Sequence, residues 1–195
     1  MTETDIARLG VLSDTHGRFD PALHDVFAGV VHIVHAGDVG SRDVLLELAT
    51  IAPVTAVCGN TDAWFGAEEL PDEAVVELAG RRLLVGHVSA GLLGRHAPAL
   101  EGLDAVITGH SHRYAMSRKD GVLYLNPGAA GAARFGLPRT VAIVELGGGL
   151  KVTRVDLGAR AGGRAGARHR AGRPRETVSA PLCCSTLSRE SLASS

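Results

Sequence analysis

Carboxylate, imidazole and amide side chains recur at set intervals along this chain: Asp14 with His16, then Asp38, Asn60, His87, and finally His110 with His112. Oxygen and nitrogen donors without a thiolate suit first-row divalent cations such as Mn, Fe, Zn or Ni. Seven donors are too many for one such ion. Two ions about 3.5 to 4 Å apart, bridged by one carboxylate, would use them all and form a clamp for phosphoryl displacement. Asp14 and His16 make a D-x-H pair, and His110 and His112 an H-x-H pair that could divide between the ions. Taken singly these signals are modest, because Asp-Gly and Gly-Asn usually mark turns and a lone core histidine is usually just a buried residue. Their order and spacing carry the weight.

The elements that must position these donors are short apolar runs, each ending at one of them. Arg8 to Ser13 reads as a buried strand, Pro21 to Ala28 as a helix with Pro in its first turn, and Val30 to His35 as the next strand. Ser41 is an N-cap for a helix through Leu48, with Asp43 in its first turn, and Val54 to Val57 is a third strand. Ala74 to Leu78 and Arg82 to Val85 flank a hairpin turn at Ala79-Gly80-Arg81, and Asp104 to Thr108 is a further strand. Asp120-Gly121 and Gly147-Gly148-Gly149 predict two more hairpins. Parallel β-α units followed by hairpins imply a mixed α/β architecture with two sheets face to face and helices outside. In open α/β sheets ligands gather beyond the carboxyl ends of the strands, so donors launched from five strand ends can converge. Gly37, Gly59, Gly86 and Gly109 stand directly before four of them, and glycine lets the backbone turn sharply there.

Bulk properties agree with one domain. The chain has 195 residues, 45% hydrophobic and 21% charged, with only 4% aromatic, so the core must be built from Val, Leu, Ala and Ile. Neither a basic and apolar leader nor a run of roughly 20 apolar residues is present, and a cytoplasmic location without a membrane partner is expected. Cys58, Cys183 and Cys184 form no disulfide framework and no C-x-x-C pair. From Gly158 the composition changes to Arg, Gly, Ala and Ser, with seven Arg against Glu176 and Glu190, which leaves 13 basic and 19 acidic residues ahead of it. The chain therefore divides into a domain at 1–157 and a disordered tail at 158–195. A sharper reading of the tail is an arginine-rich arm for nucleic acid.

The series SDTHG (13–17), AGDV (36–39), GNTD (59–62), GH (86–87), GHSH (109–112) and NPG (126–128) resembles the calcineurin-like metallophosphoesterases, and within them the small YfcE-type phosphodiesterase branch. The resemblance spans about residues 8 to 157 and implies a four-layer αββα sandwich of two mixed sheets. It implies one ion on Asp14, His16 and His112, a second on Asn60, His87 and His110, and Asp38 bridging. Asp38, Asn60, His87 and His110 would be those closest to catalysis. The expected activity is hydrolysis of a phosphodiester by a hydroxide held between two divalent metal ions, Mn foremost. The expected substrate is a small phosphoester or a nucleotide-like one, and a homo-oligomer is compatible with all of this. The alternatives are a phosphomonoesterase, or a catalytically silent scaffold like the retromer subunit of this fold.

Departures from the family pattern are informative. Thr61 stands where many relatives carry a proton-donating histidine, Val88-Ser89 follows His87 where HGH is common, and NPGA replaces NPGS. His35 reads as a buried strand residue or a partner of a ligand, and His24, His32 and His96 as structural. Trp64 and Phe65 follow the GNTD turn and read as core, or as a platform for a nucleobase. Arg134, after NPG, reads as a contact to a substrate phosphate or as a solvated loop residue.

Overall fold

The computed structural model describes residues 6–62, 70–89, 102–134 and 136–158. Trp64, Phe65, His96 and the tail beyond Gly158 lie outside the described residues.

Strands β1 (Ala7–Leu12), β2 (His32–His35) and β3 (Val54–Ala56) alternate with helices α1 (Ala22–Val26) and α2 (Arg42–Ala49). There follow β4 (Glu73–Leu78), β5 (Arg81–Gly86), β6 (Ala105–Ile107), β7 (Tyr114–Lys119), β8 (Val122–Pro127), β9 (Thr140–Leu146) and β10 (Leu150–Asp156). The three expected hairpins form between β4 and β5, β7 and β8, and β9 and β10. Helix α2 begins where its sequence asks: Ser41 is extended and its side chain accepts the Asp43 N–H at 3.2 Å. Helix α1 is shorter than the pattern predicts: Phe27 leaves the helical region at φ −96 and ψ 14, and the Ala28 N–H turns back to the Asp25 carbonyl at 3.2 Å in a tighter turn.

The strands form two mixed sheets of five. The first has the order β10-β9-β1-β2-β3, with β1, β2 and β3 parallel; the second has the order β4-β5-β6-β8-β7, with β5, β6 and β8 parallel. Alternation along the strands explains the layering. Leu9 and Val11 of β1 face a core shared with Leu83, Val85, Ile107, Leu123 and Leu125 of the second sheet, so the sheets lie face to face. Leu12 joins Leu23 of α1 and Val44 and Leu48 of α2 in a separate cluster, which places both helices on the outer side of the first sheet. Leu84, Val106 and Val122 form a third cluster on the outer face of the second sheet. No helix among the described residues is long and apolar enough to cross a membrane.

For the site, the consequence lies in the parallel strands. Asp14 and His16 follow β1, Asp38 follows β2, Asn60 follows β3, His87 follows β5, and His110 and His112 follow β6. Every expected donor thus leaves the carboxyl end of a parallel strand, and the facing sheets bring those ends together.

Candidate metal centre

The turns that deliver the donors have unusual backbone. Among the described residues seven non-glycine positions have positive φ, and five of them are Asp14 (φ 55), His16 (φ 48), Asp38 (φ 54), His110 (φ 70) and His112 (φ 56). The left-handed conformation costs an L-residue roughly 1 to 2 kcal/mol, and such strain gathers where surroundings impose a functional geometry. The sharp turn assigned to the preceding glycines is therefore made largely by the donors themselves. Gly37 is at φ +85, but Gly59 and Gly109 serve a different purpose, close approach. A Cβ on Gly59 would lie 2.1 Å from the Asp38 nitrogen, and one on Gly109 would lie 1.9 Å from Ser13 Oγ.

The expected donors come together in two groups. Donor atoms of Asp14, His16, Asp38 and His112 lie within 4.8 Å of one another, close to the ~4 Å that ligands about 2.1 Å from one ion can span. His16 Nε2 is 3.2 Å from His112 Nε2, and His112 Nε2 is 3.2 Å from Asp14 Oδ1. The second group is linked through pairs. Asn60 Oδ1 is 3.0 Å from His110 Nδ1, the rings of His110 and His87 meet edge to face with centroids 5.3 Å apart, and His87 Nε2 is 3.4 Å from Asp38 Oδ2. Asp38 Oδ2 is also 3.8 Å from His16 Nε2, so this one oxygen faces both groups.

Hydrogen bonds fix which atoms are offered. His87 Nδ1 donates to the Ala36 carbonyl at 2.8 Å, which leaves Nε2 of the neutral ring as a lone pair pointed at a carboxylate oxygen. Asp14 Oδ2 accepts from the Ser13 hydroxyl and from the His110 N–H at 3.1 Å, while Oδ1 is buried and receives no hydrogen bond. Lone pairs facing one another in a buried site are repulsive without a proton or a metal cation between them. A divalent ion fits that requirement and this donor chemistry.

Titration follows the same lines. Burial pushes Asp14 up to about 6, although the Ser13 hydrogen bond opposes it. Burial would also raise Asp38, but the pairing with His87 in its protonated form and the hydrogen bonds from Thr61 outweigh it and hold the carboxyl well below the usual range. Burial works against a charged His87, yet Asp38 and the Ala36 carbonyl together raise its pKa. His16 and His112 are lowered, chiefly by burial, and are neutral at pH 7.

Several residues support the donors in ways the sequence did not assign to them. Asp62 is fully buried, and its carboxylate accepts the backbone N–H groups of Val39 (3.1 Å), Gly40 (2.8 Å) and Gly59 (2.8 Å). Asn126 of the NPG motif donates to the Gly109 carbonyl at 2.6 Å and to Ser111 Oγ at 3.1 Å, pinning the GHSH turn. Thr61, read only as a missing histidine, donates to Asp38 through both its N–H and its hydroxyl. Buried Arg139 binds the Gly131 carbonyl at 2.5 Å and pairs with Asp20, holding the loop whose Gly131 N–H meets the Asp14 carbonyl at 3.1 Å. Exposed Arg134 acts electrostatically on both His16 and His112, which puts its charge on the Asp14 side of the site. His24 rests edge-on against Phe19 and His32 bonds Thr55 at 2.8 Å, both in structural roles.

Comparison with known proteins adds the family. Residues 8–149 match the model of the calcineurin-like phosphoesterase superfamily domain. A probable metallophosphoesterase of Methanothermobacter thermautotrophicus is 33% identical over 150 residues, 72% of this chain and 86% of that protein. Among solved structures, a novel archaeal phosphodiesterase superposes with a TM-score of 0.63 at 23% identity, covering 77% of this chain and 99% of that one. Vps29 of Chaetomium thermophilum superposes with a TM-score of 0.63 at 16% identity, covering 77% and 95%. At such identities the last two show a shared fold.

Proposed function

This chain belongs to the calcineurin-like phosphoesterase superfamily, and from that premise we propose that it hydrolyses phosphodiesters at a centre of two divalent cations. Asp14, His16 and His112 would hold one cation, Asn60, His87 and His110 the other, and Asp38 both. The observation that carries this reading is that Asp14 and Asp38 each spend one oxygen on protein donors and turn the other toward imidazole nitrogens. Bound divalent cations would lower the pKa of water toward neutrality and neutralise charge on phosphoryl oxygens.

The residues themselves select and orient. Asp38 Oδ2 and the neutral His16 and His112 would present electron pairs from the ends of β2 and β1 and from the GHSH turn, and His87 and Asn60 theirs from the ends of β5 and β3. Arg134 brings a positive charge near His16 and His112, where it would meet a phosphate oxygen. Thr61 has no proton that titrates near neutral pH, which supports ester substrates whose leaving oxygen departs with little protonation. The fold shared with Vps29 keeps a non-catalytic scaffold as the competing reading, and the complete donor set favours catalysis.

Metal analysis of the purified protein, with hydrolysis of bis(p-nitrophenyl) phosphate and p-nitrophenyl phosphate under Mn, Ni, Fe and Zn, tests this reading. The expected result is two ions per chain and a preference for the diester, with activity reduced to background in Asp38→Ala and Asn60→Ala. A chain that takes up no metal and hydrolyses neither ester would leave the scaffold reading standing.

A further inference from the structure

Thr61 sits beside Asn60 in the GNTD turn, and it reaches back across the site to the end of β2. Its backbone N–H and its hydroxyl each donate to Asp38 Oδ1, both at 2.9 Å. The two imidazoles that approach this carboxylate, His16 and His87, come to the other oxygen, Oδ2, at 3.8 and 3.4 Å. One residue thus occupies one oxygen of the carboxylate completely and leaves the other to the site.

We propose that Thr61 is a positioning residue whose paired hydrogen bonds make Asp38 serve both cations through the single oxygen Oδ2, an inference that rests on the two-cation reading above. A carboxylate free to rotate about its Cβ–Cγ bond can chelate one ion with both oxygens. Two donors on Oδ1, one of them fixed in the backbone, remove that freedom. The same turn carries Asn60, so the clamp sets the separation between Asp38 and the neighbouring amide. Asp62 secures the turn to the Val39 and Gly40 N–H groups, which keeps Thr61 in place.

The arrangement also defines what Thr61 does not do. Its hydroxyl has one hydrogen, and that hydrogen lies on Asp38 Oδ1. No proton reaches a departing oxygen from this position, so hydrolysis depends steeply on the acidity of the leaving group. Aryl esters and other diesters with acidic leaving groups are the matching substrate class.

The test uses the full chain and three versions of it: wild type, Thr61→Ser, which keeps the hydroxyl, and Thr61→Val, which keeps the shape and loses it. Mn(II) is titrated alone, with calorimetry for affinity and electron paramagnetic resonance for the exchange-coupled signal of two ions sharing a ligand atom. Wild type and Thr61→Ser should bind two ions with the coupled signal. Thr61→Val should bind the second ion about 10- to 100-fold more weakly, the range for losing a hydrogen bond to a charged group, and lose the coupled signal at Mn levels that saturate wild type. Rates on aryl methyl phosphodiesters of graded leaving-group pKa should give the same slope in all three proteins. Wild-type Mn affinity and coupling in Thr61→Val would overturn the clamp, and a steeper slope in Thr61→Val would show instead that the hydroxyl protonates the leaving group. Should wild type itself bind fewer than two ions, the two-cation reading fails and takes this inference with it.

Discussion

His35 Nε2 lies 2.9 Å from Thr15 Oγ1, and the same hydroxyl lies 2.8 Å from the Val39 carbonyl. A carbonyl can only accept, so the Thr15 hydrogen belongs to Val39 and the imidazole must be the donor to Thr15. The proton of neutral His35 is therefore on Nε2. Through this chain of bonds the turn carrying Asp14 and His16 is tied to the turn carrying Asp38, from beneath the site.

Burial holds His35 down to about 3, against an ordinary value of 6.5. Between those limits the unfolded chain binds a proton that the folded protein refuses, so stability falls as pH drops through 6.5 and stops falling below about 3. One proton corresponds to about 1.4 kcal/mol per pH unit in the middle of that window. Urea unfolding of wild type and His35→Gln at pH 7, 6 and 5 isolates this effect, since other groups contribute alike to both. The stability difference between the two proteins should move in favour of His35→Gln as pH falls, and parallel pH profiles would contradict the assignment.

How much of this could be read in the chain differs between donors and their supports. Five of the expected donors declared themselves because each follows an apolar strand, whose periodicity is written in the sequence, and His16 and His112 through the D-x-H and H-x-H pairs. Hairpins were equally legible, since Ala79-Gly80 and Asp120-Gly121 supply the positive φ that tight turns need. Asp62 was not, because its partners are backbone N–H groups of Val39 and Gly40, which any residue possesses and no pattern advertises. Thr61 was legible only as a departure. That its hydroxyl would grip Asp38 depends on the approach of two turns from different strands, which spacing along the chain does not encode. Face-to-face packing of the sheets came more from the family resemblance than from the strands, because alternation along a strand says that one side is buried without saying against what.

Asp62 offers a sharp test of the support. Asparagine keeps the shape but turns an N–H2 toward backbone N–H groups that now find an oxygen, so a charge-assisted bond is lost and a donor meets a donor. Asp62→Asn should cost about 2 to 4 kcal/mol of stability in urea unfolding. Because Val39 and Gly40 adjoin Asp38 and Gly59 adjoins Asn60, Mn affinity should fall as well. A variant as stable as wild type and with its Mn affinity intact would show that the two turns hold each other without Asp62.

Metal uptake should depend on pH in a way set by Asp14 and His87. Asp14 titrates at about 6 in the metal-free protein, whereas a ligand must be a carboxylate, so below pH 6 each cation bound on that side displaces a proton. Affinity there should fall about tenfold per pH unit below 6 and level off above it. His87 is raised above its ordinary value and must also shed a proton before its Nε2 can serve, so binding on its side should keep strengthening as pH rises past 6.5. His16 and His112 are lowered and impose no such competition near neutrality. Folding is linked to Asp14 with the opposite sign from His35. Its folded pKa lies above the unfolded 3.8, so the metal-free protein gains stability as pH falls from 6 to 3.8, by about 3 kcal/mol in all. Bound metal removes that gain by keeping Asp14 ionised, so acid should destabilise the Mn-loaded protein more steeply than the metal-free one. Calorimetric titration of Mn(II) at pH 5, 6, 7 and 8, in buffers of different ionisation enthalpy, counts the protons released. About one proton per chain at pH 5 on the Asp14 side, declining toward none by pH 7, is the expected result, and an affinity independent of pH from 5 to 7 would mean that Asp14 is not among the groups that hold the ion.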